Sequence, residues 1–326
     1  MADSAHEWTD AQLLRIEKNL KKQYQQAYEE VTEKLNKYLE KNNQKIRDLY
    51  TEMISAPTAK ERKAAKEAYE KAAMDFTLRS RRYLALQQEA AMRLANVNQL
   101  ALDYINGELP PIYTLNYNYQ DPEFMRLGIS FNIVNEETIR NLIMEGDINL
   151  PFKDIDRMRD IKWNTKKMSS AILQGILQGE SMDDIAKRLI SVVDMNKKAA
   201  IRNARTMVTS AENRGRQDRY AKMEEQGIIM HKAWIATADG RTRDWHLSMD
   251  GQEVPYNGVF YDGLGQRLRY PADPYAPMNT IVNCRCTMRG VPVGVRGKNG
   301  RITYFQRDDY NGFHEQQIAQ EEARRL

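Results

Sequence analysis

Apolar residues in the first third of the chain recur at steps of three and four. Between Thr9 and Ser55 they fall at Leu13, Ile16, Leu20, Tyr24, Ala27, Val31, Leu35 and Tyr38, then at Ile46, Leu49 and Met53, with Asn42 in the one polar gap. A 3-4-4 repeat covers three turns in eleven residues, so the stripe stays on one helix face with at most a weak right-handed supercoil. Thr9 with Gln12 has capping-box spacing, as does Thr58 with Glu61 after Pro57. The pattern predicts two helices, residues 9–55 and 58–106, each about 65 Å long at a rise of about 1.5 Å per residue. Each has a single modest apolar stripe among Lys, Glu, Gln and Arg. The hairpin over residues 1–110 is therefore expected as an arm that spaces domains or docks on another protein.

Pro110-Pro111 and tyrosines at 113, 117 and 119 predict an extended connection over residues 107–134. Helical signals resume at Asn135 and cover residues 154–178 and 181–193, with Ser181 and Asp184 as an N-cap pair. A last long helix is expected over residues 197–226, ending before Gly227. Short β-like runs follow, Ile228–Ile235 and Arg285–Val293, between Asp-Gly, Asn-Gly and X-Pro steps. The expected organisation is a helical arm (1–110), a connection with helices (111–195), a small α+β module (196–296) and a polar tail with a helix from His314 (297–326). The fold class is α+β, mostly α.

Composition sharpens this division. The 326 residues are 41% hydrophobic and 29% charged, with a mean hydropathy of −0.72, too polar for one compact globule. Residues 1–106 hold no glycine and one proline, whereas residues 240–300 hold nine glycines and five prolines. No apolar run approaches the ~18 residues of a membrane span. Residues 1–10 lack the basic and apolar regions of a signal peptide, so a soluble chain made in a cytoplasm is expected. The two cysteines, Cys284 and Cys286, are too close together for a disulfide framework, which leaves a metal or reactive-thiol role.

Net charge is +4, from 49 basic and 45 acidic residues, too balanced for a general polyanion binder. The balance is lost locally. From Lys197 to Lys222 the helix carries eight basic residues against Glu212 and Asp218. Lys197, Lys198, Arg202, Arg214, Arg216 and Arg219 are thus candidate phosphate contacts, with Arg267, Arg269, Arg285, Arg289, Arg296, Lys298 and Arg301 behind them.

Four short pieces concentrate the chemistry: Arg205-Thr206 with Asn213 and Arg214 on the basic helix, Trp234 in the first β run, Asp239-Gly240-Arg241-Thr242-Arg243-Asp244-Trp245-His246 with Asp250-Gly251, and Asn283-Cys284-Arg285-Cys286-Thr287. In this order, over roughly residues 190–290, they resemble the phage Mu F-like minor head proteins, the phage head morphogenesis domain. One departure is Ile281-Val282 where many relatives have His-Pro. The resemblance implies a non-enzymatic virion protein in a few copies inside the capsid near the portal vertex, made in the host cytoplasm. It would act in head morphogenesis, genome packaging and DNA ejection. Its implied partners are the portal protein, packaged double-stranded DNA held without sequence preference, and a scaffold or major capsid protein.

The same residues admit other chemistry. His246, Cys284 and Cys286 are candidate zinc ligands, with Asp239, Asp244 or Asp250 as the fourth, although C-x-C is not the C-x2-C of structural zinc sites. His246 as a general base beside Arg241 and Arg243 would instead suit a hydrolase or nuclease, an enzyme or toxin-like effector delivered with the DNA. The plainer reading makes these residues internal hydrogen-bond partners that fix the loops of a small module.

Overall fold

The computed structural model describes residues 4–42, 44–78 and 80–305. In chain order the elements are α1 (Ser4–Asn42), α2 (Gln44–Ser55), α3 (Ala59–Thr77), α4 (Arg81–Asn118), α5 (Pro122–Arg126), α6 (Glu136–Glu145), α7 (Arg157–Gln178), α8 (Met182–Glu225), β1 (Ile228–Ile235), α9 (Asp244–Leu247), β2 (Glu253–Pro255), β3 (Phe260–Tyr261), β4 (Arg267–Leu268), α10 (Met278–Ile281), β5 (Thr287–Arg296) and β6 (Ile302–Tyr304). The chain is mostly helical with a small antiparallel β part, as expected.

Several boundaries depart from the sequence pattern. Thr9 is not a cap: it lies inside α1, and its hydroxyl donates to the Ala5 carbonyl at 2.9 Å. Thr58 and Glu61 do form the capping box of α3. The second arm helix is two helices, since α3 ends at Thr77 and α4 begins at Arg81. The extended connection is a correction as well, because α4 runs through Gly107, Pro110 and Pro111 to Asn118. Leu109, Ile112 and Tyr113 are buried there, so tertiary burial outweighs the proline penalty. The helices expected over 181–193 and 197–226 are one, α8, opened by Ser181, whose hydroxyl accepts from the Asp184 N–H at 3.2 Å. Gly227, with φ of 89°, lets the chain turn directly into β1.

The chain divides into two compact units, and α1, α4 and α8 contribute to both. One unit, from Ile16–Tyr104 and Lys153–Ile201, is a helical bundle. Its α1 stripe is buried from Ile16 to Leu35, together with Leu94 on α4, Ile172 on α7 and Ile185 on α8. The expected arm, spacing domains or docking on another protein, is corrected accordingly: α7 and α8 of the same chain supply the partner faces. A polar chain crosses this core. The Tyr24 hydroxyl donates to Asn98 Oδ1 at 2.5 Å, and Asn98 Nδ2 donates to Asp160 at 2.8 Å and to Asn196 at 2.7 Å. Asn196 in turn donates to Asn164 at 2.8 Å. Buried amides satisfied in this way fix the helix register, because a shift would strand them.

The other unit comprises the described residues of Met1–Arg15, Ile105–Phe152 and Arg202–Leu326. Its sheet has the order β2-β1-β5-β6, all antiparallel, with β3 and β4 forming a separate hairpin. Trp234 faces Met288 across β1 and β5, and the register shifts between Ile229, which faces Gly294, and Met230, which faces Pro292. Residues 302–304 pair with β5 as strand β6, so the expected tail begins as part of the sheet; its expected helix from His314 lies outside the described residues. The core joins Trp234, Phe260, Met288, Met230, Cys284 and Cys286 with Tyr220 and Met223 of α8. Each large side chain buried there contributes about 1.5–3 kcal/mol.

Candidate functional site

One face of α8 carries a polar row at positions 206, 209, 213 and 216. Their 3-4-3 spacing puts them on one line along the helix. This row holds the segment that enters β5. Thr206 Oγ1 accepts from the Asn283 N–H at 3.2 Å, Thr209 donates to the Cys284 carbonyl at 2.8 Å, and Asn213 donates to the Cys286 carbonyl at 3.3 Å. Arg216 Nη1 donates to the Met288 carbonyl at 2.9 Å, and its Nε to Asn116 on α4 at 3.0 Å. Asn283 has a φ of 55°, a left-handed conformation that asparagine tolerates better than most residues.

Residues 284–286 follow with alternating directions. Cys284 and Cys286, two apart, face the same side and are both buried, while Arg285 points away and pairs with Asp239 at 2.5 and 2.6 Å. Hydrogen bonding from Arg285 and Arg241 holds the Asp239 carboxyl far below the usual carboxylate range. Thr237 donates to the Arg285 carbonyl at 2.6 Å, and Thr242 donates to the Thr237 carbonyl. Arg243 donates to the Val282 carbonyl. Asp250 accepts from the Ala236 N–H at 2.8 Å, and Gly251, with φ of 73°, donates to the Trp234 carbonyl at 3.0 Å. The loop around the motif is thus closed by its own signature residues.

His246 on α9 is buried and stacks edge-on to Trp234, with ring centroids 5.9 Å apart. Its Nδ1 is 3.7 Å from Cys284 Sγ and 3.6 Å from Cys286 Sγ. Within this pair the first thiol to ionise is Cys286, pulled down by the hydrogen bond from Cys284 and by His246, whereas the resulting thiolate pushes Cys284 up. C-x-C spacing is no obstacle to convergence. Asp239 and Asp250 are engaged elsewhere, Asp244 is exposed, and among the described residues no carboxylate joins the cluster.

The expected phosphate contacts divide. Lys198 and Arg202 are exposed on α8, while Lys197 pairs with Asp194 at 2.6 Å and Arg214 with Asp218 at 2.7 Å. Arg216 and Arg219 are buried, the latter with its guanidinium 3.3 Å from the Phe131 ring centroid. Those two are inward-facing packing groups, a correction to the charge count. Arg205 is half-buried. Behind them, Arg269 pairs with Asp273 at 2.6 Å and Arg285 with Asp239, while Arg289 is half-buried and Arg267, Arg296, Lys298 and Arg301 are exposed.

Two further buried groups belong to none of the sequence motifs. Glu212 is buried and accepts from Thr287 at 2.7 Å and contacts His6 at 2.8 Å. Lys232 is buried in β1, donating to Gln217 at 2.8 Å and to the Arg269 carbonyl at 2.6 Å, and burial pulls it down to about 7. Strand alternation gives the signal for Lys232, since it shares a face with Met230 and Trp234.

Residues 166–289 match the family described as Phage Mu protein F like protein. The chain is similar to "Minor head protein GP7" of Bacillus phage SPP1, at 26% identity over 64% of this chain and 68% of that protein. It is also similar to "NAD(+)--arginine ADP-ribosyltransferase EFV" of Enterococcus faecalis (strain ATCC 700802 / V583), at 26% identity over 65% of this chain. Only 43% of that second protein is covered. No solved structure matches the chain. The matched residues 166–289 run from α7 through the start of β5.

Proposed function

We propose that this chain is a structural minor head protein of a phage, acting in head morphogenesis. The observation that carries the reading is the use of the motif itself. Thr206, Asn213, Asp239, Thr242, Arg243, Asp250 and Arg285 are spent on hydrogen bonds that close the module, the role of a folding signature rather than of a reaction centre. The family match and the minor head relative point to the same class.

The finer assignments belong to this reading as well: a place inside the head at the portal vertex, contact with the portal protein, and a part in packaging and ejection. Contact with packaged duplex DNA would come from exposed cations, Lys198 and Arg202 on α8 and Arg267, Arg296, Lys298 and Arg301 in the β part, through charge alone. Copurification of the tagged full-length chain with portal protein tests the partner. Recovery of the chain without portal or any other head protein would count against it.

A second reading is an enzyme or toxin-like effector, favoured by the transferase name of one relative. Release of nicotinamide from NAD by the purified chain would support it, as would hydrolytic turnover lost in a folded His246→Ala protein.

A further inference from the structure

We propose that His246, Cys284 and Cys286 bind one zinc ion per chain. The three donors come from two separate segments, α9 and the turn leading into β5; Cys284 and Cys286 belong to the core of the β part, and the buried His246 packs edge-on to Trp234 of that core. Their ligand atoms fall within 4.8 Å of one another. Zinc bonds of about 2.3 Å to sulfur and about 2.0–2.1 Å to nitrogen, at the tetrahedral angle, set N and S about 3.6 Å apart. The two N to S distances are 3.6 and 3.7 Å. One imidazole nitrogen has a single in-plane proton or lone pair and so serves one sulfur well. Two sulfurs at nearly equal distance from the same Nδ1 are what a shared metal centre requires.

Charge supports the same occupant. Two thiolates and a neutral imidazole around a divalent ion sum to zero, which suits a site whose residues are 1%, 2% and 1% exposed. Soft sulfur with imidazole selects zinc over magnesium or calcium. Three protein ligands leave the fourth tetrahedral position to water. The ion would pin α9 to the Asn283–Thr287 segment, which α8 already holds through Thr206, Thr209 and Asn213.

The test uses the full-length chain, purified without chelator or metal-affinity resin, incubated with zinc sulfate and passed through a desalting column. Metal analysis should give about one zinc per chain, and cobalt substitution should give thiolate charge-transfer and tetrahedral d–d bands. Cys284→Ser and Cys286→Ser should lower the stoichiometry to near zero. Wild-type protein that retains no zinc and shows no cobalt bands overturns the proposal, whatever the variants do. Full retention in both serine variants overturns the assignment to these residues. Neither outcome bears on where the chain sits in a phage head.

Discussion

His6 and Glu212 are 206 positions apart in the chain, and their Nδ1 and Oε1 atoms are 2.8 Å apart. The same carboxylate accepts from Thr287 and lies 3.5 Å from Arg216, so one buried group joins the start of α1 to α8 and β5. Burial works against the His6 imidazolium, but the charge and hydrogen bond of Glu212 override it and raise His6 to about 9.

A histidine raised above its unfolded value stabilises fully below about 6.5 and loses that contribution as pH climbs through about 9. Lys232, pulled down to about 7, has the opposite sign, since stability grows as pH rises from there toward the unfolded lysine value. The two overlap, so the difference between wild type and His6→Gln isolates the histidine. Denaturant unfolding should show that difference shrinking by up to about 3 kcal/mol from about pH 6 to about pH 10. A difference flat with pH would contradict the assignment.

The row on α8 predicts a local cost. Thr209→Val keeps the shape but leaves the Cys284 carbonyl without its donor. Chemical denaturation should show a loss of about 1–3 kcal/mol with an unchanged m-value. A neutral result would mean that this carbonyl finds another partner.

Gly215 lies on α8 where a Cβ would sit 2.6 Å from the Tyr113 carbonyl oxygen and 3.1 Å from the Tyr117 nitrogen, both on α4. In an exposed helix Gly→Ala gains roughly 1 kcal/mol. Here the backbones must separate, so Gly215→Ala should lose about 1–3 kcal/mol in thermal unfolding. A raised midpoint would show that the two helices have room.

For DNA, exposure decides which cations matter. Lys198→Ala and Arg202→Ala should each lower the slope of log K against log salt by about 1 in filter binding to duplex DNA. Arg219→Ala should leave the slope alone and lower the melting temperature, because its guanidinium packs on Phe131. Equal slopes for all the proteins would remove the exposed cations from any DNA contact.

Local signals with a backbone mechanism were legible in the sequence. Thr58 with Glu61, Ser181 with Asp184, and Asn135, whose side chain accepts from the Thr138 N–H at 2.7 Å, all cap helices. β1 covers the expected Ile228–Ile235. Tertiary effects were not legible. The Pro110-Pro111 step reads as a break but sits in a helix whose Leu109, Ile112 and Tyr113 are buried. Arg216 and Arg219 read as surface charge, yet their partners, Asn116, Met288 and Phe131, come from distant segments. The signature residues were evident, and so was their plain role as loop closers. Their convergence was not, because Thr206 meets Asn283 across 77 positions.

The proposed function makes the chain a component of the phage head. Quantitative mass spectrometry of purified DNA-filled heads, calibrated against the major capsid protein, tests it most directly. As a head component, the chain is expected in every preparation at a fixed few copies per head. Heads of normal composition that lack it, with the chain recovered only as free protein from the lysate, would show that it is not a head component.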